Sequence, residues 1–174
     1  MSSTPLVDRE APDFELQTDV GDTWRLSDHR GSVIALLFYP QNETLVCNRQ
    51  LCSVRDSWSE YVDTSATIIG ISPQPESGHA AFRSKYELPF TILADAGRVV
   101  TGQYCGHWLF PLSFMRGVVV IDAKGVVRSR RTMLRAFRPS DASVIRSIYA
   151  ARIDRANDEF DRVASRHARG HSKK

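Results

Sequence analysis

The chain has 174 residues, 42% hydrophobic and 25% charged, which suits one compact domain with a substantial core and leaves little for a second. Its formal charge of +3 belongs to the end of the chain: "SRHARGHSKK" (165–174) holds four Arg and Lys and no acid, and without them the body stands near −1. A nucleic acid partner is therefore not expected, and no run approaches the roughly 18 apolar residues of a membrane span.

The N-terminus "MSSTPLVDRE" lacks the basic region and apolar stretch of a secretory signal, so the expected compartment is the cytoplasm. Residues 1–164 are expected to form a single domain and 165–174 a flexible basic tail. In chain order, "APDFELQTDVGDTWRLSDHRG" (11–31) holds two short alternating pieces around the turn "DVGD", which predicts an N-terminal hairpin. "VIALLFY" (33–39) and "ATIIGIS" (66–72) are short, continuous and rich in branched or aromatic residues, as buried central strands are.

The segment between them, "TLVCNRQLCSVRDSWSEY" (44–61), has no Gly or Pro and predicts a helix with Thr44 as N-cap. Strand, helix, strand implies a parallel pair joined by a right-handed crossover. Further on, Glu76 to Tyr86 predicts a helix, "FTIL" (90–93) a short strand, a short helix comes before Cys105, and "GVVVID" (117–122) is another buried strand. "DAKG" turns the chain into "VVRSRRTM" (126–133). From Asp141 to about Ala168, Ile145, Tyr149, Ile153, Ala156, Phe160 and Val163 recur at helical spacing, a stripe expected to pack on the sheet or, failing that, on a partner subunit.

Two of only three cysteines lie five residues apart, in "FYPQNETLVCNRQLC" (38–52). In a reducing compartment three cysteines do not make a structural disulfide framework. A helix starting near Thr44 puts Cys47 in its first turn, where free N–H groups and the positive end of the dipole favour thiolate. That matters because an ordinary thiol, with a pKa of about 8.5, is mostly un-ionised at neutral pH and the thiolate is the nucleophile. The alternative is a small buried hydrophobe. Five residues of ideal helix separate the two Cα atoms by roughly 8 to 9 Å, whereas a disulfide requires less than about 7 Å. An intact helix therefore keeps Cys47 and Cys52 apart. The spacing is neither Cys-x-x-Cys nor that of a zinc pair, and the five histidines are scattered, so no metal is expected.

"FYPQNETLVC" resembles the Pro-x-x-x-Thr-x-x-Cys active-site pattern of the peroxiredoxins, and the second cysteine five positions on is similar to the bacterioferritin-comigratory (Q-type) subfamily. The resemblance covers about residues 11 to 150 and includes "APDFEL", "GISPQPESGHAAF", "YELPFTILAD" and an Arg just before a "VID" strand. It implies a thioredoxin-like α/β fold, with a central mixed sheet flanked by helices, an N-terminal hairpin and a long C-terminal helix. By position, it makes Cys47 the peroxidatic cysteine, Cys52 the resolving cysteine, Pro40 the residue shaping the loop, Thr44 the hydroxyl that orients peroxide, and Arg116 the guanidinium beside the thiolate. The activity implied is reduction of hydrogen peroxide and organic hydroperoxides, with a thioredoxin-like dithiol as reductant, in a monomer or homodimer.

The chain departs from that pattern in two places. The family's Cys-Thr-x-Glu is here Cys47-Asn48-Arg49-Gln50, which takes a potential carboxylate partner from the arginine, and its Arg-Ser-Thr-Phe is here Arg116-Gly117-Val118-Val119. These changes leave room for an impaired peroxiredoxin-like redox sensor or binding protein. A thiol-disulfide oxidoreductase is disfavoured by the absence of Cys-x-x-Cys. Cys105, among aromatics in "GQYCGHWLF" (102–110), reads either as a buried structural thiol or as a second candidate for the resolving step.

Overall fold

The computed structural model describes residues 6–40, 45–106, 111, 115–134 and 136–153, the first four residues of the helix at 45–56 by backbone alone. Seven strands form one mixed sheet: β1 (Glu15–Thr18), β2 (Thr23–Arg25), β3 (Ile34–Phe38), β4 (Thr67–Ser72), β5 (Thr91–Ala94), β6 (Met115–Ile121) and β7 (Val127–Leu134). They lie in the order β2-β1-β5-β4-β3-β6-β7. The centre, β5-β4-β3, is parallel, and β6, β7, β1 and β2 add antiparallel pairs on either side. The continuous apolar runs behave as expected, since every residue of β3 and of β6 is buried.

The helices are α1 (Leu45–Asp56), α2 (Trp58–Asp63), α3 (Glu76–Lys85), α4 (Val99–Cys105) and α5, residues 141–153. Strand periodicity divides the core into two layers. Leu37, Tyr39, Val118 and Val120 face a layer with Leu51 and Val54 of α1, Tyr61 of α2, Phe82 of α3 and Ile148 of α5. Leu36, Phe38, Val119 and Ile121 face the other, with Val100, Tyr104 and Cys105 of α4 and with Phe14 and Trp24 from the N-terminal hairpin.

Two expectations are corrected. The single helix over 44–61 is broken: Ser57, at φ −96° and ψ 19°, leaves helical geometry between α1 and α2. The break lets Trp58 lie 5.9 Å from Phe90, centroid to centroid, and turns Tyr61 fully into the core. The apolar stripe of α5 is also misplaced, because Tyr149 is 42% and Ile153 59% exposed while Val144, Ile148 and Ala151 are buried. Both sets have helical spacing and lie about 100° apart around the axis. The sheet side takes the set with the smaller side chains, which lets the helix approach closely. Ile145 is only partly buried against that layer, and Ala156, Phe160, Val163 and the basic tail lie outside the described residues.

His79 of α3 is fully buried, and its Nε2 lies 3.3 Å from the Ser72 carbonyl. A carbonyl can only accept, so Nε2 carries the proton. Burial holds the imidazole below its ordinary pKa of 6.5, so the folded chain resists a proton that the unfolded chain accepts. The stability His79 contributes is complete above pH 6.5 and is lost as pH falls below it, by up to about 1.4 kcal/mol per pH unit. Urea midpoints at pH 7.5 and 5.5 should show this fall, and His79→Gln should flatten it.

Candidate active site

Pro40 closes β3, buried, and the Tyr39 N–H just before it still donates to the Ile71 carbonyl of β4 at 3.0 Å. Proline cannot extend the ladder, having no N–H, so the chain leaves the sheet there. It re-enters regular structure at Leu45, and Cys47 is the third residue of α1. Thr44 falls outside the described residues.

Arg116 comes from β6, the strand antiparallel to β3, on the same strand face as Val118 and Val120 and so toward α1. Its side chain has no solvent exposure. A buried charge is tolerated only when it is hydrogen-bonded, and one of its acceptors is the side-chain oxygen of Gln50, itself buried, to which Nη1 donates. The expectation that Gln50 withdraws a partner from the arginine is therefore corrected. The amide gives up the charge of a carboxylate but keeps the contact. Residues three apart share a helix face, so position 47 lies one turn before the residue that holds the guanidinium.

Cys52 lies elsewhere on α1. It is half-buried, between the exposed Arg49 and Asp56 at helical spacing, and burial raises its thiol pKa above the ordinary value, partly offset by Arg55. Its thiol is free in this state.

Cys105 is the last residue of α4 and does not follow it. Its thiol is fully buried in the other core layer, across the sheet from α1, and burial pushes it up to about 12. Its sulfur explains one departure from the family pattern. A Cβ on Gly117 would overlap Cys105 Sγ, whereas the Cys105 Cβ is an ordinary 3.7 Å away. Glycine at 117 and cysteine at 105 therefore fit each other. Sequence reading could not join them, since they belong to different elements with no shared period.

The cluster that sequence reading missed altogether is Ser53, Tyr61 and Asp141. Tyr61 OH donates to Asp141 Oδ1 at 2.9 Å and Ser53 Oγ donates to Oδ2. It ties α1 and α2 to the start of α5. Among the described residues no group of three or more His, Cys, Asp or Glu is placed to hold a metal, and no helix is long and apolar enough to cross a membrane.

Residues 7–130 match the AhpC/TSA family. The chain belongs to that family. A chloroplastic peroxiredoxin Q of Triticum aestivum is 41% identical over 118 residues, 67% of this chain and 54% of its own length. Peroxiredoxin Bcp of Bacillus subtilis (strain 168) is 42% identical over 89 residues, 51% of this chain and 57% of its own length. The chain thus spans little more than half the length of these curated relatives. The crystal structure of peroxidoxin BcpB from Mycobacterium tuberculosis superposes with a TM-score of 0.71 at 26% identity, over 86% of this chain and 98% of that one. Reduced 2-Cys peroxiredoxin from Plasmodium vivax gives 0.77 at 22% identity, over 88% and 85%, a likeness of fold. The expected thioredoxin-like architecture is the observed one.

The fit between Gly117 and Cys105 has a measurable consequence. Gly117→Ala should destabilise the fold by about 1–3 kcal/mol, the usual cost of overpacking. Adding Cys105→Ala, which removes the sulfur, should recover most of it, and chemical denaturation of the double-mutant cycle would measure the coupling.

Proposed function

We propose that this chain is a thiol-dependent peroxidase that reduces hydrogen peroxide and organic hydroperoxides. The observation that carries the reading is the contact of Gln50 with the buried Arg116 guanidinium, which sets a permanent positive charge against α1 one turn after Cys47. Arginine keeps its charge and offers several donors, so it suits a thiolate and the oxygen on which negative charge develops.

In the proposed reaction the Cys47 thiolate attacks one peroxide oxygen. The S–O bond forms as O–O breaks, sulfur supplies the electron pair, and the departing oxygen takes a proton to leave as alcohol or water, giving a sulfenic acid. Arg116 stabilises the charge on that oxygen, Thr44 orients the peroxide through its hydroxyl, and Pro40 shapes the loop. The Cys52 sulfur then attacks the sulfenic sulfur, S–S forms, and the hydroxyl leaves as water. A thioredoxin-like dithiol reduces the bridge by exchange. Cys105 takes no part, being buried across the sheet and un-ionised at physiological pH. A cytoplasmic setting, reducing enough to recycle the bridge, suits this cycle.

Intact-mass and peptide mapping after one equivalent of hydrogen peroxide tests the reading, alongside thioredoxin-coupled turnover. A Cys47–Cys52 bridge with turnover is expected. Cys47→Ser should fall to background, and Cys52→Ser should stop at the sulfenic acid. A Cys47 that stays reduced in the folded chain would replace the peroxidase by a redox-inactive binding protein.

The two chemical steps should also separate by pH. Burial keeps Cys52 a thiol through the neutral range, so raising pH above neutral increases its thiolate and should speed bridge formation, by up to about tenfold per unit. The peroxide step does not use the Cys52 thiolate, so its rate should not follow the Cys52 titration. Stopped-flow fluorescence from pH 6 to 9 would resolve the two phases.

A further inference from the structure

Bridging Cys47 and Cys52 requires α1 to unwind, and the structure points to what resists it. Leu51 and Val54 hold α1 to the core by burial, a contact without directional demand that survives a change of backbone between them. The bond from Ser53 Oγ to Asp141 Oδ2 is different. Hydrogen bonds weaken steeply with angle, so this one is lost once the residue beside Cys52 leaves helical geometry.

The acceptor is firmly built. Asp141 opens α5, whose start is capped by Ser140: Ser143 N–H reaches Ser140 Oγ at 3.3 Å and the Ser140 carbonyl at 3.0 Å. Val144, Ile148 and Ala151 anchor that helix in the core. The other carboxylate oxygen is held by the hydroxyl of fully buried Tyr61 at 2.9 Å, a group that needs a partner where it lies. Asp141 thus stays in place while α1 changes.

We propose that the Ser53–Asp141 bond is a latch on the resolving half of α1, and that Ser53 and Asp141 are positioning residues that set how long the Cys47 sulfenic acid lasts before Cys52 reaches it. The inference rests on the peroxidase reading above. While latched, the sulfenic acid remains open to a second peroxide, which would insert oxygen to give sulfinic acid and release alcohol or water. Once unlatched, Cys52 closes the disulfide and water leaves.

Ser53→Ala removes the α1 side of the latch and leaves the Tyr61–Asp141 bond intact. Bridge formation should run about tenfold faster, the equivalent of about 1.4 kcal/mol. The peroxide concentration giving half-maximal sulfinic acid at Cys47 should rise in proportion, and the rate of the first peroxide step should stay the same. Ser53→Thr, which restores the hydroxyl, should return both values toward wild type. Amide exchange reads the latch without any chemistry: the amides of Cys52 to Asp56 should exchange about tenfold faster in Ser53→Ala. Unchanged exchange, or a bridge-forming rate within twofold of wild type, would overturn the latch. If wild type forms no sulfenic acid, the peroxidase reading fails while the exchange comparison still decides whether the latch exists.

Discussion

A guanidinium with no solvent exposure, set in a central strand, has to find its acceptors within the chain, and Arg116 finds one in Gln50. That requirement places α1 across β6, and with it the position of Cys47. It also makes β6 a strand that cannot slip, because a register shift of one residue would turn Arg116 into the opposite core layer. β6 is fixed between β3 and β7, with all seven residues buried. The rigid part of the site is thus the strand, and the helix is fitted to it.

In the proposed reaction the same helix carries a conflicting demand. As a helix it holds Cys47 and Cys52 too far apart to bond, yet it must be coherent to present Cys47 at its first turn. A stretch of 12 residues, α1 is marginal by itself, and its stability is borrowed from a few attachments: Leu51 and Val54 in the core, Gln50 on Arg116 and Ser53 on Asp141. Polar attachments exchange for water at modest net cost. They are also the attachments that a change of backbone breaks, because hydrogen bonds weaken steeply with angle while apolar contacts make no directional demand.

The strands were legible because burial on both faces makes them continuous apolar runs: β3 and β4 fall within the predicted segments, and β6 overlaps its own but starts two residues earlier, at Met115. Both hairpins followed from their turn residues. The pattern Pro40, Thr44, Cys47 and the distant Arg116 marked the site as a resemblance, and the structure brings Arg116 to α1. Less visible was anything decided by side chains meeting across the fold. Ser53 and Asp141 are 88 residues apart, and no periodicity links them. The break at Ser57 was hidden because the segment contains neither Gly nor Pro, and what turns the chain there is the packing of partly buried Trp58 on Phe90 and the burial of Tyr61. The α5 stripe misled because large apolar residues were weighted over small ones, and close helix packing favours the small.

Surroundings, more than residue type, divide the cysteines. Cys52 sits half-buried on a short helix held by exchangeable bonds, and burial there raises its pKa above the ordinary value. Cys105 is enclosed by the sheet and α4, with its sulfur filling the space that Gly117 leaves. To release it would mean opening a core layer, a cost of the order of global unfolding. A thiol so enclosed behaves as a small hydrophobe, and in the proposed cycle, where α1 unwinds, it is kept from the Cys47 sulfenic acid. Setting Cys105 across the sheet from α1 achieves that by topology, since the buried strands β3 and β6 lie between the two layers.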